Sequence, residues 1–134
     1  YTIAIPITAK DIEISALVLD AIYEPFEGYE TKEDILQTAH KIASLPIDVV
    51  KLHQLQIIKN TALADLYEKD PASVPLFTLD EYLNLCAEIV KIIPKRICIE
   101  RFVSQSPPEL RLAPNWGIKN YQFVDKLNKI LLKS

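Results

Sequence analysis

The 134 residues include no methionine, two glycines, two cysteines, two histidines and one tryptophan. Average usage would place about nine glycines in a chain this long. Gly28 and Gly117 stand far apart, which excludes a Walker loop, a dinucleotide fingerprint and a nucleophile elbow, because each needs clustered glycines. Cys86 and Cys98 are too few to hold a structural zinc or an iron–sulfur cluster alone. The expectation for them is two buried, reduced thiols in a cytoplasmic protein. No stretch approaches the run of about 18 apolar residues that a membrane span needs. The chain opens at Tyr1 without a signal-peptide pattern and reads as an excised piece of a longer protein.

What is present has the balance of one globular domain. Hydrophobic residues make up 49% and charged residues 25%, and a domain of this size needs no disulfide or metal to complete its core. The net charge of −3 gives no global attraction for nucleic acid or anionic lipid. The charge is unevenly spread. Lys10 and Lys32 face eight acidic residues over 1–34, whereas five basic residues face Glu109 and Asp125 over 109–134. Lys126, Lys129 and Lys133 share one face of the last helix. They read as a solvated face that offsets the helix dipole, with an RNA contact as the alternative.

Hydrophobic spacing sets out the elements. Residues 2–7 read as a strand with Pro6 at its end, and 15–23 as a buried strand. Residues 24–30 form an acidic loop. Thr31 caps a helix whose stripe is Ile35, Leu36, Ala39, Ile42 and Ala43, and Pro46 ends it. Residues 48–58 read as one strand. A short helix over 61–68 follows, then a helix opened by Thr78 and Glu81 as a capping box and stopped by Pro94. A strand over 96–102 comes next. A polar loop over 104–114 leads to a last helix capped by Asn120. Strands alternating with helices predict an α/β fold, a mostly parallel sheet with flanking helices. Such a sheet places its strand C-termini, and hence its site, along one edge.

One strand departs from its type. A strand buried on both faces is near-continuous Val, Ile and Leu, yet 49–58 carries Lys51 and His53 on one parity and Gln54 and Gln56 on the other. Polar side chains placed this way need partners. They mark either a ligand-facing strand end or an edge strand with one polar face. Glu100 and Arg101 read as an ion pair or as charges at the carboxyl end of a later strand. His40 points outward from its helix, and no metal site is expected, since no zinc-type histidine spacing occurs. Trp116 reads as a packing anchor for the last helix.

Three runs carry a resemblance: VKLHQLQIIKNTALADLY over 50–67, ERFVSQSPPEL over 100–110, and APNWGIKN over 113–120. In this order they resemble the C-terminal half of the bacterial YhcC-like radical S-adenosylmethionine (SAM) Fe–S oxidoreductases, relatives of the catalytic subunit of Elongator. The resemblance runs from about residue 31 to 133. It implies a partial (β/α)6 barrel, a partial TIM barrel, with a 4Fe–4S cluster and SAM at the strand C-terminal ends. The family's cysteines, spaced C-x3-C-x2-C, are absent here, so this chain alone is expected to be inactive and to hold no cofactor.

By the resemblance, residues 1–30 form a poorly matched strand region, 31–103 the barrel βα units, and 104–134 a C-terminal extension. Glu30-Thr31 matches the end of a family turn that backs the adenine. His53, Gln54, Gln56 and Glu30 are thereby implied as cofactor contacts. Lys51, Glu100 and Arg101 are implied as substrate-contacting or site-closing residues. Asn60 stands where the family has glycine, and asparagine is the non-glycine residue suited to a left-handed backbone. The implied partner is the remainder of the parent barrel. A homodimer through an exposed sheet edge is also expected, and a tRNA partner is an analogy only. The competing reading is a non-catalytic protein- or RNA-interaction module built on a half-barrel.

Overall fold

A computed structural model describes residues 2–4, 16–20 and 31–133. In chain order the elements are β1 (Thr2–Ala4), β2 (Ala16–Asp20), α1 (Lys32–Ala43), β3 (Val49–Lys51), β4 (Ile57–Ile58), α2 (Ala62–Lys69), α3 (Leu79–Ile92), β5 (Cys98–Arg101), β6 (Arg111–Ala113) and α4 (Asn120–Lys133). A 3-10 turn, Pro71–Ser73, follows α2.

The helices begin where short polar side chains satisfy their first N–H groups. Thr31 and Thr78 each accept from the backbone three residues on, and Asp34 and Glu81 return the bond. Both are complete capping boxes. Thr61 caps α2 by accepting from the Ala64 N–H at 3.1 Å. The last helix differs from the expectation. Asn120 is its first helical residue, and its Oδ1 accepts from the Phe102 N–H at 3.1 Å. The cap position falls to Lys119, whose N–H donates to Gln122 Oε1 at 2.9 Å.

The larger sheet runs β1-β2-β3-β5. β1 lies antiparallel to β2, while β2, β3 and β5 are mutually parallel. This is the mixed α/β arrangement with a largely parallel sheet that alternation of elements predicts. Val50 and Leu52 join one core with residues of α1, α3 and α4, among them Ile42, Leu83, Cys86, Phe123 and Leu127. Helices therefore cover the Val50 face, while Val49 and Lys51 on the other face stay partly exposed. Tyr82 centres an aromatic group with Phe77, Trp116 and Phe123, so the ring contact of Trp116 is with α3, and it packs against the main core. Arg96 closes the α1–β3 connection, donating to the carbonyls of Ala43 at 2.6 Å and Leu45 at 3.0 Å.

Further expectations need correction. The strand read over 48–58 is two strands, because regular pairing stops after Lys51 and resumes at Ile57 in a second sheet. The side chains of His53, Gln54 and Gln56 turn to a neighbouring segment, as described below. That second sheet pairs β4 antiparallel with β6, a strand inside the supposed loop over 104–114, and covers a small core of Ile57, Ala64, Val74 and Ala113. Cys98 is exposed, whereas Cys86 is buried. Cys98 is the register partner of Val49 and so lies on the sheet face that the helices leave partly exposed. The strand read over 96–102 is accordingly trimmed to β5. Asn60 does take a left-handed backbone, with φ of 64°.

Candidate functional site at the strand ends

The three parallel strands point their carboxyl ends to one edge of the sheet, and β3 and β5 deliver the sequence-nominated residues there. Lys51 is the last residue of β3 and Arg101 the last of β5, and they are register partners across the ladder. The register slips between Val50 and Lys51, which brings Glu100 into reach of the lysine as well. Lys51 Nζ lies 3.5 Å from Glu100 Oε2, with both side chains substantially exposed. An exposed pair of this kind contributes at most about 1 kcal/mol, so it orients two charges more than it stabilises the fold.

Beyond the last strand bond the two segments stay side by side. The Leu52 N–H donates to the Arg101 carbonyl at 2.8 Å. From there the ladder passes from backbone to side chain. Gln54 Oε1 accepts from the Ser104 N–H at 2.6 Å, and Gln54 Nε2 donates to the Ser104 carbonyl at 3.2 Å. Gln56 Nε2 donates to the same carbonyl at 3.0 Å. His53 Nδ1 is hydrogen-bonded to the Ser104 hydroxyl. Three of the nominated residues thus converge on one serine. The two glutamines are half-buried and His53 is exposed.

Ser104 is the residue that sequence reasoning missed. A serine in a polar run carries no periodic signal, and its partners lie 48 to 51 positions away. The polar residues after β3, which demanded partners, were the available pointer.

This arrangement also limits the chemistry. A serine beside a histidine suggests a nucleophile, but an acyl-transfer site needs N–H donors for the oxyanion. The Ser104 N–H is taken by Gln54, which argues for a positioning role. Ser106, two residues on, keeps a buried hydroxyl oxygen without a hydrogen-bond partner, a group that a water or a ligand would satisfy. Glu30 lies outside the described residues. His40 is exposed on α1, away from this edge in sequence and element.

No group of three or more His, Cys, Asp or Glu side chains suited to a metal occurs among the described residues. The cysteines do not fit a cluster either. Burial pushes the Cys86 thiol up to about 12, which opposes the thiolate a metal requires, and Cys98 stands on β5. No helix among the described residues is long and apolar enough to cross a membrane.

Residues 47–133 match the Radical_SAM C-terminal domain family. The chain is 28% identical over 102 residues to the uncharacterized protein YtqA of Bacillus subtilis, covering 76% of this chain and 31% of that protein. It is 27% identical over 107 residues to the uncharacterized protein MJ0486 of Methanocaldococcus jannaschii, covering 78% and 32%. Protein YhcC of Escherichia coli is 24% identical over 102 residues, covering 76% and 32%. The chain spans about a third of the length of the curated relatives it matches.

Proposed function

The chain belongs to the Radical_SAM C-terminal domain family, and from that premise we propose that it is one part of a radical SAM Fe–S oxidoreductase. In this reading it supplies the SAM- and substrate-facing side of a partial (β/α)6 barrel. The observation that carries the proposal is the edge where β3 and β5 end together. Lys51, His53 and Arg101 gather there, at the strand termini where open α/β sheets bind their ligands.

The residues at this edge divide by what they have left to offer. Both polar atoms of the Gln54 amide are engaged with Ser104, and Gln56 donates one of its two N–H groups there. Their contribution is to fix the segment after β3 against the segment after β5. His53, Lys51 and Arg101 retain groups for a ligand, and the Ser106 hydroxyl is free to accept or donate. In the parent protein a 4Fe–4S cluster with SAM would supply radical chemistry. The described residues do not fit that cluster, and in this reading its cysteines lie in the part of the relatives' length that this chain does not span.

The remaining partner is the rest of the parent barrel. Self-pairing through β5 is discouraged by its four-residue length and by Glu100 and Arg101 upon it. A cytoplasmic location accords with two free thiols.

The test uses the longer polypeptide that contains this chain. It is reconstituted with iron and sulfide, reduced, and assayed for 5′-deoxyadenosine released from SAM. Release dependent on residues 31–133 supports the proposal. A reconstituted protein that neither binds nor cleaves SAM overturns it in favour of an interaction module.

A further inference from the structure

The commitments of the two glutamines decide what a ligand meets at the strand ends. Gln54 and Gln56 together place two amide donors on the Ser104 carbonyl, which fills both lone pairs of that oxygen. The Ser104 N–H is likewise occupied. Only the serine hydroxyl is left free to rotate, and it faces His53 Nδ1. The direction of that bond follows the tautomer: with the hydroxyl donating to Nδ1 the ring proton sits on Nε2. His53 is exposed, and in that tautomer it has an Nε2–H donor for a ligand.

Cations stand beside it. Lys51 precedes His53 by two residues, and Arg101 is the register partner of Lys51. Glu100 takes part of the lysine's charge at 3.5 Å. Among the described residues no carboxylate lies within ion-pair distance of Arg101. A chain of net charge −3 thus brings Lys51, His53 and Arg101 together with Glu100 where its parallel strands end, and Asp20 ends β2 at the same edge.

We propose that this edge binds an oxyanion of its ligand, a carboxylate or a phosphate group. His53 Nε2–H is the directional donor, Arg101 the charged fork, and Ser104 the positioning residue that fixes the imidazole. The proposal rests on the reading that this edge faces a ligand, and it names the chemical class that the ligand carries.

The test uses the 134-residue chain labelled with nitrogen-15, with inorganic phosphate and acetate as separate probes at constant pH and ionic strength. The imidazole signals of His53 are followed against those of His40. These are the two histidines of the sequence, and His40 is exposed on α1. Amide dispersion shows that each variant is folded.

The expected result is a saturable shift of His53 with His40 unmoved. A response to phosphate assigns a phosphate-bearing ligand, and a response to acetate a carboxylate-bearing one. Arg101→Gln weakens the response about threefold, as loss of an exposed charge partner does. Ser104→Ala keeps the backbone bonds to both glutamines, yet moves the ring nitrogens of His53 toward the pattern of His40. Parallel, unsaturable shifts of both histidines overturn the proposal. So does silence toward both anions, or an Arg101→Gln chain that responds like the parent. Neither arm contains SAM or iron, so failure here leaves the radical SAM reading intact, and failure of SAM binding leaves this result standing.

Discussion

Gln54 grips Ser104 at both backbone groups, accepting from its N–H at 2.6 Å and donating to its carbonyl at 3.2 Å. Because one amide meets both groups, its orientation is fixed: only the oxygen can accept and only the nitrogen can donate. The clasp joins segments 50 residues apart in sequence and carries the pairing of β3 and β5 past the point where regular strand bonds end.

Removing that clasp leaves the Ser104 N–H without its partner and the Ser104 carbonyl with Gln56 alone. Gln54→Ala is expected to cost about 1–3 kcal/mol, and Gln56→Ala, which removes one of two donors to a shared oxygen, about 1 kcal/mol or less. The two effects are expected to be non-additive, since both side chains serve the same carbonyl. Urea unfolding of the single and double variants measures this. Equal costs that simply add would contradict the shared-oxygen geometry.

The core of α3 sets the alkaline limit. Burial is the main cause that raises Cys86 from 9.0 to about 12 and holds the Tyr82 hydroxyl well above its ordinary 10.0. Above pH 9 the unfolded chain releases protons that the native chain keeps. Native stability therefore falls as pH rises from 9 toward 12, by about 1.4 kcal/mol per pH unit for Cys86, and Tyr82 adds to the fall above its ordinary 10.0. Cys86→Ala is expected to flatten this decline, whatever it costs at pH 8. Parallel curves for the two proteins would show that the thiol is not the group responsible. In the same native protein a thiol reagent should modify exposed Cys98 quickly and spare Cys86.

The capping boxes set the acid limit. Asp34 and Glu81 accept from the N–H groups of Thr31 and Thr78, which lowers both carboxyls from their ordinary 3.8 and 4.5. Their stabilisation is complete above those ordinary values and is lost as pH falls through the lowered ones. Glu81→Gln should make the start of α3 less sensitive to acid. Thr78→Ala should cost about 1 kcal/mol at neutral pH. Helicity followed by circular dichroism between pH 5 and about 2 distinguishes the two variants.

Arg96 predicts a difference between two cations. Its guanidinium reaches the carbonyls of Ala43, Leu45 and Ile47 with two nitrogens, a geometry that a lysine ammonium does not reproduce. Arg96→Lys should lose most of what Arg96→Ala loses, and hydrogen exchange at the end of α1 should quicken in both. Protection retained in the lysine variant would mean that charge alone suffices.

The helices were legible because each has an apolar stripe and a polar residue that stops its N-terminus, as Thr31 and Thr78 do. The parallel strands followed from alternation with those helices. The break after Lys51 was not legible, because Gln54 and Gln56 keep the period-two spacing of a strand while bonding to a segment 48 to 50 residues away. β6 escaped notice for a related reason: three residues between prolines are too short for periodicity to register. Asn120 resembled a cap, but tertiary demand from the Phe102 N–H claimed its side chain. At the site the nominated residues were visible as polar interruptions. Ser104 was hidden because its importance lies wholly in its partners.

Under the proposed function the edge formed by the ends of β3 and β5 faces SAM. The most direct measurement compares His53→Ala with His40→Ala in the reconstituted polypeptide that contains this chain. SAM affinity and 5′-deoxyadenosine release are read alongside the electron paramagnetic resonance signal of the reduced cluster. The account predicts that His53→Ala loses affinity or release, with the cluster signal unchanged and His40→Ala behaving as the parent. Two variants indistinguishable from the parent in both readouts would contradict it.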